Sequence, residues 1–203
     1  MDSSIKDQLN AIKRSFRLVM NGPASQSMRQ KGVDYKINWG VPFTQLRVMA
    51  RDYGKNYDLA VALWKENIRE CKILATLIMP PASMPREVVD IWMSEVVSQE
   101  LAELAAFNLF QYLDYAPELA YSWIASENEL YQIAGYGVLS RLFMRGLCPD
   151  ERGVGEFLDQ CDVALQEGST GVRHAALNSL MRFAQLGDEY ERIARAAIHM
   201  DVF

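Results

Sequence analysis

"SQELAELAAFNLF", residues 98–110, is the stretch on which the fold turns. Ala102, Ala105, Ala106 and Leu109 stand at i, i+3, i+4 and i+7, a continuous helical face small enough for a partner helix to press close. Glu100 and Glu103 flank that face, and Asn108 follows a turn later. The carboxylates are either a solvated helix edge or the working acids of a site.

Working outward, the chain reads as helix after helix. Ile5, Leu9, Ile12, Phe16 and Val19 form a stripe of period 3.6 that starts behind Ser3 and Ser4 and stops at Gly22-Pro23. A loop around "GVDYKINWGVP" leads to a helix from Pro42 to about Tyr53, with proline where its missing N–H is harmless. "YDLAVALWK", "NIRECKILATLIM", "PREVVDIWMSEV", "PELAYSWIA", "NELYQIAGYGVLSRLFM", "ERGVGEFLDQCDVALQ", "TGVRHAALNSLMRF" and "DEYERIARAAIHM" continue the series. "PREVVDIWMSEV" is expected to pair with the opening stretch. Strand alternation is nowhere sustained.

A weak repeat runs through the series. Trp64, Trp92 and Trp123, at spacings of 28 and 31, end successive first helices. Small residues follow in the second helices: Ala75, Ala105-Ala106 and Ala134-Gly135, with Ala175-Ala176 in a last hairpin. Repeated hairpins with small residues at the crossings predict an all-α fold, an α-solenoid of HEAT-like antiparallel hairpins, curved, with the second helices lining a concave groove. An irregular helical bundle is the alternative. The expected organisation is one domain over 1–203, with N-terminal helices over 1–53 and hairpin repeats over 54–203. The tryptophans read as core rather than as stacking platforms.

Composition narrows the function. Of 203 residues, 50% are hydrophobic and 23% charged, which suits a globular chain and not a disordered one. No apolar run reaches the roughly 18 residues of a membrane span, and the polar start "MDSSIKDQLN" is unlike a signal peptide. Cys71, Cys148 and Cys161 form no CxxC pair, so they read as reduced packing residues of a cytoplasmic protein. His174 and His199 belong to no HExxH pattern, so no metal or other cofactor is expected. "GSTG" at 168–171 reads as a helix-capping turn, and "AGYGV" at 134–138 as glycines permitting close packing.

Net charge is −5, but it is unevenly spread. Residues 1–72 carry 13 Lys+Arg against 7 Asp+Glu, and the remainder 8 against 19. Every lysine lies in the first segment. Either the asymmetry is mere solvated surface, or the N-terminal helices build a basic face. Arg69 and Lys72 sit one turn apart and either meet phosphate or pair with Glu66 and Glu70. Arg173 beside His174 poses the same choice.

"GVPFTQLRVMARDY" followed by "LWKENIRECKILATLIM" resembles the AlkD-type DNA alkylation repair family, HEAT-like glycosylases that excise alkylated purines. "SQELAELAAFNLF", "SENELYQIAGYGVLS" and "TGVRHAALNSL" follow in the order of its later repeats, so the resemblance covers most of the chain after residue 28. It implies a positively charged concave groove holding duplex DNA mainly by its phosphates. Active members carry a tryptophan and an aspartate on the helix matching 98–110, an arginine in the repeat matching 126–139, and a second tryptophan in the repeat matching 171–180. An N3- or N7-alkylated purine is already a cationic leaving group, so the site needs a carboxylate beside the oxocarbenium-like sugar, a placed water, and rings against the deoxyribose. Here those positions hold Gln99, Glu103, Gln132 or Ile133, and Asn178. Only the carboxylate is kept, one methylene longer, and a misplacement of about 1 Å can cost a hundredfold in rate.

The resemblance therefore implies a DNA-binding member with a degenerate glycosylase site. Expected phosphate contacts are Arg29, Lys36, Arg47, Arg69, Lys72 and Arg173. One alternative is a working alkylpurine DNA glycosylase with Glu103 as its carboxylate. Another is a protein-interaction scaffold, which the acidic total charge favours.

Overall fold

The computed structural model describes residues 3–199. The described residues form twelve α-helices and two short 3-10 turns, with no strand beyond an isolated bridge between Ile37 and Ile68. The chain falls into two compact units, Met1–Leu109 and Phe110–Phe203.

The first unit contains α1 (Ser3–Leu18), α2 (Gly22–Gln30), α3 (Phe43–Tyr53), α4 (Tyr57–Trp64), α5 (Arg69–Ile78), α6 (Arg86–Ser94) and α7 (Gln99–Asn108). Its centre is α5, against which α3, α4 and α7 pack, while α1 lies on α4. The α1 stripe buries Leu9, Ile12 and Phe16. Gly22-Pro23 ends that stripe and also opens α2, where Asn21 accepts from Ala24 N and proline sits in the first turn. The segment "GPASQSMRQ" has too few apolar residues to show a period, which is why composition hid it. Trp64 and Trp92 tie α4 to α6 by parallel stacking, with ring centroids 4.1 Å apart. The expected close pairing of α6 with α7 gives way to packing of α7 on α5.

The second unit contains α8 (Ala116–Ile124), α9 (Glu129–Met144), α10 (Glu151–Glu167), α11 (Thr170–Ala184) and α12 (Asp188–Ala197). Each of α9, α10 and α11 is started by a side-chain cap, from Asn128, Asp150 and Ser169 respectively, which satisfies an otherwise unpaired first-turn N–H. Ser169 confirms the "GSTG" turn as a cap. α9 lies between α8 and α11, and α10 packs on α11. The α8–α9 crossing depends on Gly135: a Cβ there would stand 2.9 Å from Ala120 O and 2.9 Å from Ile124 Cγ2. Trp123 packs edge-on to Phe110 and Tyr131, so all three repeat tryptophans are core residues. No helix among the described residues is long and apolar enough to cross a membrane.

Candidate functional site

The two carboxylates of α7 stand in sharply different surroundings. Ser98 caps α7 by accepting from Leu101 N. Two residues on, Glu100 receives Arg69 through both oxygens, Nε at 2.7 Å and Nη2 at 2.5 Å. Arg69 also donates Nη1 to Val41 O and to Glu70 Oε1, each at 3.1 Å. Glu70, with no exposed surface, accepts from the backbone N–H groups of Trp39 and Val41 at 3.2 Å. This buried network clamps the loop preceding α3 onto α5 and α7. Burial alone would lower the Arg69 pKa; hydrogen bonding and charge from Glu100, with Glu70, raise it above its ordinary value. Glu100 is structural.

Lys72 is likewise internal. Its Nζ donates to Trp64 O at 3.1 Å and Glu95 Oε2 at 3.0 Å, and lies 4.3 Å from the Trp64 ring centroid. Arg69 and Lys72 were expected to stand exposed to phosphate; only 2% and 6% of their surfaces are accessible, because α5 is enclosed by α3, α4 and α7. Their partners are only in part those expected from local spacing. Glu70 does pair with Arg69, but the other carboxylates, Glu100 and Glu95, come from distant segments, and Glu66 pairs with Lys13. Asn108 is buried and donates to Thr76 Oγ1 at 2.9 Å, joining α7 to α5.

Glu103, by contrast, is exposed, and Gln99 Nε2 donates to its Oε1 at 2.8 Å. The chain thus brings together the first two positions at which the family resemblance seeks a ring and a carboxylate. In the second unit, Gln132 on α9 donates to Ser126 O at 2.8 Å and lines a small pocket of about 240 Å³. Ile133 is buried in the core, and Asn178 on α11 is exposed. No group of His, Cys, Asp and Glu among the described residues has metal-ligand geometry. Burial pushes the Cys71 and Cys161 thiols up, in keeping with unreactive packing residues.

The remaining cations sort by position. Arg29 and Arg47 are exposed, Arg47 beside Arg51 and Lys55. Arg173 is exposed on α11 and donates to Gly168 O at 2.7 Å. Lys36 is drawn into a larger cluster. With Lys13, Arg17 and Lys65 it lines a cleft of about 460 Å³ bounded also by Trp39, Glu66 and Asn67. Lys13 pairs with Glu66 at 3.3 Å; Arg17, Lys36 and Lys65 have no ion-pair partner among the described residues. The parallel bridge between Ile37 and Ile68, with Ile37 N donating to Asn67 O at 3.3 Å, brings the segment that bears Lys36 against the turn before α5, which bears Lys65. Lys13 and Arg17 are not among the expected contacts, although their i, i+4 spacing on the flank of the α1 apolar stripe was a usable signal.

Set beside known proteins, these features have a family. The chain matches the DNA alkylation repair enzyme family over residues 12–184 and belongs to it. Its all-α HEAT-like fold is shared with a solved structure at TM-score 0.82 and 17% sequence identity, covering 95% of this chain and 86% of that one. That structure is described as a new family of proteins related to the HEAT-like repeat DNA glycosylases with affinity for branched DNA structures. No curated protein matches the sequence.

Proposed function

We propose that this member of the family binds DNA through backbone phosphates and has lost efficient base excision. The convergence of Lys13, Arg17, Lys36 and Lys65 on one cleft carries the reading, since three of these four cations are left without a carboxylate. Phosphates are the complementary ligands, and a largely acidic remainder would disfavour DNA elsewhere. Family membership and the described affinity of the structural relative for branched DNA support the same ligand class. For catalysis, Gln99, Gln132 and Asn178 cannot supply the rings and guanidinium that would position a sugar around Glu103. The alternative, excision with Glu103, draws on the Gln99 hydrogen bond that orients its carboxylate.

Titration with DNA at several salt concentrations tests binding. Phosphate contacts give a log–log salt slope of about −0.9 each, so Lys36→Ala with Lys65→Ala should flatten the slope by about two such steps. Melting should hardly change, since both residues are exposed and without ion pairs. Failure to bind at low salt would favour a protein scaffold instead. A parallel incubation with N7-methylguanine DNA should release base no faster than the spontaneous reaction. Robust release that Glu103→Gln abolishes would establish the glycosylase.

A further inference from the structure

Three separate stretches of chain meet at the basic cleft: α1 with Lys13 and Arg17, the segment 36–39, and the turn 65–68. The walls they build are not uniformly charged. Trp39, Ile37 and Ile68 make them partly apolar, and Asn67 adds an exposed amide, a donor and an acceptor together. The parallel bridge holds the backbones of the two isoleucines together. Trp39 is pinned at both ends of its backbone: its N–H donates to Glu70 Oε2 at 3.2 Å, and its C=O accepts from Asn21 N at 2.9 Å. Its ring is half-buried and backed by Phe16, with centroids 5.5 Å apart. The indole therefore borders the cleft as a fixed platform. Glu66, the carboxylate that lines the same cleft, is engaged by Lys13.

Backbone phosphates alone leave the aromatic and aliphatic walls idle. They also undersupply charge. A cleft of about 460 Å³ admits few phosphodiesters, each singly negative, yet Arg17, Lys36 and Lys65 meet them without any ion-pair partner among the described residues. A ligand that matches both features concentrates several negative charges at one end and carries a flat ring at the other. The cleft volume falls within the roughly 300–1,000 Å³ of small-molecule sites, which join apolar walls to a few orienting polar groups. We propose that this cleft is a nucleotide site that takes a free nucleoside polyphosphate: the base stacks on Trp39 beside Ile37 and Ile68, while Arg17, Lys36 and Lys65 hold the phosphates. The Asn67 amide serves the polar edge of the base, where ring nitrogens and exocyclic groups need a donor and an acceptor. Nucleotide and DNA draw on the same cations, so the nucleotide competes with DNA and regulates its binding. The proposal rests on the phosphate-binding reading above and adds to it a second ligand and the residues that recognise its base.

The other tryptophans, Trp64, Trp92 and Trp123, are only 2–4% exposed, so quenching of tryptophan emission by a ligand reports on Trp39. The probes are ATP, inorganic tripolyphosphate and a fully paired duplex, each titrated at low salt. ATP should bind on the order of tenfold more tightly than tripolyphosphate, the size of one base stack, and of the two only ATP should quench. Saturating ATP should displace the duplex. By calorimetry, Trp39→Leu should weaken ATP by about the same tenfold. Its tripolyphosphate affinity should stay at the wild-type value, which also shows that the cleft is intact. Lys36→Ala with Lys65→Ala should weaken all three ligands. Equal affinity for ATP and tripolyphosphate without quenching, or no binding of ATP, would overturn the nucleotide site whether or not DNA binds. Duplex binding that persists under saturating ATP would instead overturn the placement of DNA in this cleft and the competition with it, leaving the nucleotide site standing.

Discussion

The two units solve the same packing problem with different chemistry. In the first, the core includes Arg69, Glu70 and Lys72. In the second, the buried polar side chains among the described residues are Gln111, Ser140 and Ser179, all uncharged. The difference follows from the connections. The first unit must hold a long segment between α2 and α3 whose N–H groups, among them those of Trp39 and Val41, find no helical partner, so the Glu70 carboxylate accepts them and Arg69 compensates the charge. The second joins its helices by short turns, those before α9, α10 and α11 closed by a side-chain cap, and can let small residues bring the helices together. An irregular loop calls for polar chemistry inside; a regular hairpin calls for little volume at its crossing.

Substitution of the clamp tests this contrast most severely. Arg69→Ala leaves Glu70 and Glu100 without their cation and should cost about 3–5 kcal/mol, a fall in Tm on the order of 10 °C. In an ordinary buried ion pair, replacing both members with apolar residues can restore stability. Arg69→Met with Glu70→Leu should stay destabilised here, because the Trp39 and Val41 N–H groups lose their acceptor. Recovery in the double variant would reduce the clamp to a simple ion pair.

The second unit offers a smaller and more local test. Gly135→Ala should cost about 1–3 kcal/mol by overpacking the α8–α9 crossing. Gly155→Ala, on α10 with nothing near its Cβ, should stabilise by about 0.4–1 kcal/mol. Thermal melts of the pair separate crowding from helix propensity. If both substitutions stabilise, close approach at Gly135 is not what sets that crossing.

The least effect belongs to an exposed contact. Asp162 accepts from the backbone N–H of His199 at 3.0 Å and meets its Nδ1 at 2.8 Å. The backbone hydrogen bond first, then the His199 and Gln166 side chains, hold the Asp162 carboxyl below its usual 3.8 despite some desolvation. A lowered folded-state pKa stabilises the fold above the ordinary carboxylate range, and that contribution disappears as pH falls through the lowered value. Asp162→Asn should therefore reduce Tm slightly at pH 6, by a gap that narrows as pH falls below the ordinary carboxylate range. A pH series of melts checks it; a gap that widened on acidification would contradict the assignment.

Much of the fold was legible because helix formation is local. The α1 stripe, the Ser169 cap within "GSTG", and the small residues at the crossings each act within a few positions of the chain. The same locality puts Gln99, Glu103, Gln132 and Asn178 on helices, while the family resemblance is what singled them out. α2 stayed hidden, since a helix of largely polar residues shows no apolar period.

The sequence by itself determined the all-α repeat and the lopsided charge, because periodicity and composition are properties of neighbouring residues. Only the tertiary structure decided where that charge goes. Arg69 and Lys36 are equally cationic on paper, yet one is sealed against Glu100, 31 positions away, and the other opens into a cleft with Lys13, Arg17 and Lys65. A charge carries no period that marks its inner side. Its exposure is set by partners that folding brings from remote parts of the chain, because burial is tolerable only where such a partner replaces water.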